Sequence, residues 1–206
     1  GWVLVRLKLA IDEYPEPGHD LIIHTWPVEM GKLQAERHFE LFNEDEKRIG
    51  AAISKWVIID IAQRKIVRMP DFVREFPIVE GKHSMDRRLG RLAEPEAGKM
   101  PETNIRALLG DLDMNRHVNN ARYVDWVLEA VPDDLIDNAR LTSLDLSFKA
   151  ESRRGDQVLS RAQVVEPLEA GGQNSEVRLV HGLYRQDDNT ELLRATSTWD
   201  TVNGGG

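Results

Sequence analysis

Cysteine is absent from the 206 residues of this sequence. Disulfides, thiolate metal sites and cysteine nucleophiles are therefore excluded. No apolar run approaches the roughly 20 residues that a membrane span requires, so we expect no membrane partner. Basic residues are in the minority, 27 against 35 acidic ones, and the net charge is −8. Because phosphate binding needs a positive field, we expect no nucleic-acid partner.

The hydrophobic fraction, 41%, is enough for one large domain or two small ones with a real core. Alternating apolar and polar residues predict four strands in the first part of the chain, at 2–11, 20–30, 32–42 and 49–62. The turns between them are short and carry Gly or polar residues, so we expect an antiparallel meander. No helix is predicted in this stretch.

The composition changes after the fourth predicted strand, because residues 64–104 hold four prolines and three glycines. This composition predicts a linker, placed at 71–103. Residues 64–93 carry eight Lys or Arg and four Asp or Glu, a local charge of +4. Arg87, Arg88 and Arg91 are interpreted either as a solvated surface or as a docking site for an acidic partner.

The second half predicts a strand, a helix and four further strands. Val124, Val127, Leu128 and Val131 recur at helical spacing, with Asn119 or Asn120 as the N-cap and Pro132 as the end. The predicted ranges are 104–109 for the first strand, 120–131 for the helix, and 141–150, 156–165, 176–185 and 191–202 for the strands.

The two halves echo each other in sequence. Residues 52–56 (AISKW) match 195–199 (ATSTW), each in a final strand, and two weaker matches occur in the same order. A tandem duplication explains this order. The second copy has a leading strand and a helix that the first copy does not show. The chain is therefore expected to lack the N-terminal strand and helix of its first copy.

The most informative segment is 111–120, DLDMNRHVNN, which lies between a predicted strand and helix. If this segment is extended, the side chains of Asp113, Asn115 and His117 project to the same side, just before a helix N-terminus. The unpaired N–H groups and partial positive charge there would polarise a carbonyl and stabilise an oxyanion. His117 can exchange protons near neutral pH.

Two other interpretations stay open for this segment. Asp-x-Asp-x-Asn also opens a calcium-binding loop of the EF-hand kind. That loop requires Gly where Arg116 stands and Glu where Arg122 stands, which disfavours calcium. The other alternative is a polar turn with Asn caps and a buried, hydrogen-bonded histidine.

Residues 111–129 resemble the signature of acyl-ACP thioesterases. Shorter matches at 2–4, 14–15, 25–26 and 54–57, and the pattern Arg64-x-x-Val67-Arg68-x-Pro70, extend the resemblance over nearly the whole chain. The resemblance implies an α+β tandem (double) hot-dog fold, in which each long antiparallel sheet wraps a helix, with the first helix absent from this chain. The expected domains are a partial hot-dog at 1–70, the linker, and a catalytic hot-dog at 104–206.

The same resemblance places the catalytic set on Asp113, Asn115, His117 and Glu151. Glu151 could act as the general base toward water, and Asp113 would fix the Asn115 side chain. Asn115 and His117 could each hold the water or the carbonyl. Many relatives carry Cys directly after this Glu, where this sequence has Ser152. No Gly-x-Ser-x-Gly elbow is present, so we expect direct attack by water.

The expected activity is hydrolysis of fatty acyl-acyl carrier protein, without cofactor or metal. The expected partner is acyl carrier protein, and a homodimer is possible. A hot-dog hydratase or dehydratase and a non-catalytic acyl-thioester-binding regulator are the alternatives. The location is expected to be cytoplasmic, with a plastid left open because the N-terminal piece is expected to be missing.

Overall fold

The structure, a computed structural model, describes residues 1–96, 101–168 and 176–201. The chain divides into two compact units, residues 1–90 and 91–206. Both units are built mainly from antiparallel strands. Within the described residues, no helix is long and apolar enough to cross a membrane.

The first unit holds four long strands, one short strand and one short helix. They are β1 (Trp2–Ile11), β2 (Ile22–Met30), β3 (Gln34–Phe42), β4 (Arg48–Asp60), β5 (Lys65–Val67) and α1 (Asp71–Arg74). The long strands pair in the order β2-β3-β4-β1, and β5 pairs with β4. The predicted strands are present, but the simple meander is wrong, because β1 pairs with β4. Residues 12–21, with two prolines and Gly18, form the long connection that this order requires.

Small residues in β4 allow β1 to approach it closely. Gly50 lies opposite Ile11, and a Cβ added to Gly50 would lie only 2.8 Å from the carbonyl oxygen of Ala10. Leu7 and Leu9, which face Ser54 and Ala52 across the pair, share one face of the sheet and are only partly buried. Among residues 1–90, all of which are described, α1 is the only helix.

The other face of this sheet is covered by residues 79–90, which we call the strap. The strap is tied to β2 by the Val79 N–H, which donates to the Pro27 oxygen at 2.9 Å, and by the Trp26 indole, which donates to the Lys82 oxygen at 3.0 Å. Beneath it, His38 is fully buried and lies 2.9 Å from Ser84 and 3.0 Å from Glu36. Much of the Pro- and Gly-rich segment therefore packs on the first unit.

The arginines of the strap are already paired with carboxylates. Arg87 Nε donates to the buried Glu36 carboxylate and Arg87 Nη2 to Glu29, each at 2.5 Å. Arg88 forms two side-chain hydrogen bonds to Asp86, at 2.6 and 2.8 Å. Arg87 thus binds two carboxylates of the first sheet, which supports a structural role for Arg87, and the docking interpretation stays a prediction.

Among its described residues, the second unit holds five strands, two α-helices and one 3-10 helix, Leu109–Asp111. The strands and α-helices are β6 (Glu102–Arg106), α2 (Asn120–Leu128), α3 (Asp133–Asn138), β7 (Ala139–Phe148), β8 (Gln157–Leu168), β9 (Glu176–Arg185) and β10 (Glu191–Thr201). The strands pair antiparallel in the order β7-β10-β9-β8-β6. The helix α2 buries Tyr123, Trp126 and Val127, and its C-terminal end continues into a core cluster with Trp199 and Leu179.

The predicted helix 120–131 is three residues too long at its end. After Leu128 the chain makes a turn in which the Val131 N–H donates to the Leu128 oxygen at 3.0 Å. Ala130 and Val131 are nevertheless buried in the core, which accounts for the apolar periodicity up to Val131. Pro132 is the N-cap of α3, a helix that the sequence did not predict.

Candidate active site

The predicted motif folds into a tight hairpin turn directly before α2. Leu112 pairs with Val118, and within that pair the Asp113 N–H donates to the His117 oxygen at 2.8 Å. The Arg116 N–H donates to the Asp113 oxygen at 3.0 Å, and Arg116 has a left-handed φ of 62°. The expectation of an extended segment is therefore wrong. The turn, and not strand alternation, brings Asp113, Asn115 and His117 together.

The side chain of Asp113 organises this turn. One of its carboxylate oxygens accepts hydrogen bonds from the backbone N–H of Asn115 at 2.8 Å and of His117 at 3.3 Å. The other oxygen lies 3.5 Å from the Asn115 side-chain nitrogen. An Asp side chain that accepts a hydrogen bond from the backbone N–H two residues later forms an Asx turn. Asp113 thus fixes the backbone that carries Asn115 and His117.

The start of α2 follows three residues after His117. The predicted N-cap is confirmed at Asn119, whose side-chain oxygen accepts from the Ala121 N–H at 3.0 Å. An N-cap satisfies one of the free donors of the first helical turn, and the remaining ones contribute a partial positive charge at this end.

Glu151 reaches the motif through a short antiparallel bridge. The Val118 N–H donates to the Ser152 oxygen at 2.9 Å, and His117 pairs with Arg153. This bridge places His117 Nε2 at 3.4 Å from the Glu151 carboxylate. The side chains of His117 and Glu151 are 30% and 49% exposed, so water and a substrate can both reach them.

Tyr123 of α2 holds the chain on both sides of Glu151. Its hydroxyl accepts from the Ser152 N–H at 2.8 Å and donates to the Ala150 oxygen at 3.4 Å. Burial raises the pKa of Tyr123 to about 12, so the phenol keeps its proton at neutral pH. The sequence did not single out Tyr123, although it falls within the motif that carries the family resemblance.

Ser152 is fully buried, and its hydroxyl donates to the Asp156 carboxylate at 3.0 Å. A serine nucleophile needs a base that accepts its proton and an exposed oxygen that can reach the carbonyl. The Ser152 hydroxyl is buried and points to Asp156, so its oxygen cannot reach a substrate carbonyl. This geometry supports the prediction that water, not Ser152, attacks the thioester.

Within the part of the chain that the structure describes, no group of three or more His, Asp or Glu side chains is arranged to hold a metal ion. The turn at 113–117 uses the Asp113 carboxylate to bind backbone N–H groups, which leaves it poorly disposed for a cation.

Solved structures of known proteins share this architecture. A 12:0-ACP thioesterase from Umbellularia californica matches with a TM-score of 0.86 at 24% identity, covering 98% of this chain and 73% of that chain. An acyl-ACP thioesterase from Bacteroides thetaiotaomicron matches with a TM-score of 0.75 at 24% identity, covering 96% and 76%. The predicted α+β double hot-dog fold is confirmed.

Sequence comparison then defines the family. The acyl-ACP thioesterase N-terminal domain matches residues 1–76 and the C-terminal domain matches residues 94–201. This chain belongs to the acyl-ACP thioesterase family.

Curated relatives agree with this assignment. A chloroplastic acyl-[acyl-carrier-protein] hydrolase of Cuphea viscosissima is 29% identical over 99% of this chain and 50% of its own length. The chloroplastic oleoyl-acyl carrier protein thioesterase 1 of Arabidopsis thaliana is 28% identical over 96% of this chain and 60% of its own length. The chain thus spans about half the length of the curated relatives it matches.

Proposed function

We propose that this protein hydrolyses the thioester of a fatty acyl-acyl carrier protein, releasing the free fatty acid and the carrier's thiol. The observation that carries the proposal is the approach of the Glu151 carboxylate to His117, 3.4 Å away and just before the start of α2. Membership of the acyl-ACP thioesterase family supplies the class of substrate.

In the proposed reaction, Glu151 takes a proton from a water molecule as that water attacks the thioester carbonyl. The tetrahedral oxyanion then collapses, the C–S bond breaks, and the departing sulfur takes the proton that Glu151 received from water, which gives the free acid and the thiol. His117 and Asn115 share two tasks, holding the water and polarising the carbonyl. Asp113 keeps both residues in place through the turn it caps.

A fatty acyl group also needs an apolar surface to bind, and this protein exposes apolar side chains beside the motif. Leu108, Leu109 and Met114 are strongly exposed, Met114 at 95%. Exposed apolar side chains that cluster along one segment often mark a binding surface. Relatives of this chain are named as an oleoyl-acyl carrier protein thioesterase in Arabidopsis thaliana and a palmitoyl-acyl carrier protein thioesterase in Cuphea hookeriana, so the proposal is limited to a fatty acyl chain of no particular length.

The proposal assigns the partial hot-dog to residues 1–70, the linker to 71–103 and the catalytic hot-dog to 104–206. Acyl carrier protein is the proposed partner, while the homodimer and the cytoplasmic location stay predictions. The curated relatives named above are chloroplastic proteins, which keeps a plastid location open.

The direct test is release of thiol from palmitoyl-acyl carrier protein, followed with a thiol-reactive chromophore. The assay is clean because this protein has no cysteine of its own. Thiol should appear at a rate proportional to protein concentration. A hydratase would change an enoyl substrate and release no thiol, and a non-catalytic regulator would bind acyl carrier protein with no change in it. Either result would refute the proposal.

A further inference from the structure

Glu151 lies in a loop between β7 and β8, outside any strand or helix. Its carboxylate can meet His117 only if this loop holds one conformation. The bonds from Tyr123 described above fix the residues before and after Glu151. The carbonyl of Glu151 itself is bound by a different residue.

Arg185, the last residue of β9, donates hydrogen bonds from all three guanidinium nitrogens, two of them to this loop. Arg185 Nη2 donates to the Glu151 carbonyl oxygen at 2.6 Å, and Nε donates to the Asp156 carboxylate at 3.2 Å. Arg185 Nη1 donates to Asp188 at 2.8 Å. The planar guanidinium fork thus joins the loop to the end of a central strand.

Asp156 extends this clamp to the residues that follow Glu151. The same carboxylate oxygen that accepts from Arg185 also accepts from the Ser152 hydroxyl and the Arg153 N–H, each at 3.0 Å. The backbone of Arg185 is held in turn by two neighbours. Its N–H donates to the Thr190 oxygen at 2.9 Å, and it pairs with Val158 of β8 across the sheet.

We propose that Arg185 is a positioning residue that sets the location of the Glu151 carboxylate through the Glu151 backbone. The inference rests on the proposed function, because it assumes that Glu151 is the base. Arg185 donates to the backbone of Glu151 and to neighbouring carboxylates, and its part is to keep the base at its place beside His117. A displacement of about 1 Å at a reacting group can lower a rate by roughly 100-fold.

Three variants test this in the same thiol-release assay: Arg185→Gln, Arg185→Lys and the control Arg178→Gln. Arg178 lies on the same strand and is 44% exposed, and its ion pair among the described residues is a 4.0 Å contact to Glu176. Arg185→Gln should lower kcat by about 10-fold or more while KM changes less than about twofold. Arg185→Lys keeps one charged donor and should recover part of kcat. Arg178→Gln should behave as wild type.

A double-mutant cycle separates positioning from general loss of structure. In a Glu151→Gln background, adding Arg185→Gln should lower kcat little further, because the base is already gone. Full additivity of the two losses would overturn the inference. So would a normal kcat in a folded Arg185→Gln protein.

The outcomes separate this inference from the proposed function. Absence of thiol release by the wild type refutes the proposed function, whereas an active wild type with an equally active Arg185→Gln refutes only the role of Arg185. If Arg185→Gln does not fold, Asp188→Asn is the substitute, since it loosens the guanidinium from its exposed side. A smaller fall of kcat at constant KM is then expected, and an unchanged kcat counts against the inference.

Discussion

Acid should destabilise the second unit through one buried histidine. His181 lies on β9, is fully buried, and has Nε2 at 2.7 Å from the Ser197 hydroxyl. Its Nδ1 is buried without a hydrogen-bond partner among the described residues. Burial disfavours the charged imidazolium and lowers the pKa of His181 to about 3.

The size of the effect follows from the difference between this pKa and that of an unfolded histidine, about 6.5. Between pH 6.5 and about 3 the unfolded chain binds a proton at this position and the folded chain does not. Stability is therefore full above pH 6.5 and is lost as pH falls, by about 1.4 kcal/mol per pH unit. At pH 5 the loss is about 2 kcal/mol relative to pH 8.

The assay is urea unfolding of the wild type and of His181→Gln at pH 8, 6.5 and 5. The absolute stability of the variant is not the readout, because the substitution also changes packing. The readout is the pH dependence, which should be flatter in the variant by about 2 kcal/mol between pH 8 and pH 5. Burial also lowers the pKa of His38, but that contribution is the same in both proteins. Parallel pH profiles would refute the reasoning, as would an imidazolium signal for His181 at pH 5 in NMR spectra.

Three further outcomes follow from contacts in the structure. Ser152→Ala should keep most thiol-release activity, and mass spectrometry should find no acyl adduct in the wild type, because the hydroxyl is buried against Asp156; a trapped adduct on Ser152 would contradict this. Tyr123→Phe should lower the free energy of unfolding by about 1–2 kcal/mol in urea, since the Ser152 N–H loses its partner, and an unchanged value would count against the bond. Arg87→Ala should lower the free energy of unfolding by on the order of 1–3 kcal/mol, because it leaves the buried Glu36 without its partner. Arg88→Ala should leave the unfolding curve unchanged, because the Arg88 side chain is 91% exposed. Equal effects of the two substitutions would refute the distinction.

The long strands were predictable because their period-two alternation is a local signal. The 2–11 and 176–185 ranges agree with β1 and β9. The order of strands in the first sheet was not predictable in the same way. Pairing of β1 with β4 depends on close approach at Gly50 and on contacts about 45 residues apart in sequence, as Leu9 and Ala52 show.

The strap was predicted as part of the linker because its composition is that of a loop, and in the structure it holds no strand or helix yet packs on the first unit. Its order comes from partners on other elements, above all the buried Glu36 and His38 beneath Arg87 and Ser84. Such long-range polar contacts leave no periodic pattern in the sequence. A segment rich in Pro and Gly can therefore still pack against a sheet.

At the candidate site, the resemblance predicted the residues, and the geometry explains how two of them meet. His117 and Glu151 lie 34 residues apart in sequence and come together through the bridge of Val118 to Ser152. Arg185 was missed because it has no motif of its own and acts on a backbone carbonyl. The turn at Arg116 was missed because the left-handed conformation occurs there without a glycine.

The most direct test of the account compares wild type with Glu151→Gln in thiol release from palmitoyl-acyl carrier protein. Glutamine keeps the shape of the side chain but cannot accept a proton from water, so kcat should fall by about 100-fold or more with the fold intact. Circular dichroism and the unfolding midpoint serve as controls, and both should match the wild type. A folded Glu151→Gln protein with near-normal turnover would contradict the central claim that Glu151, held beside His117, is the base.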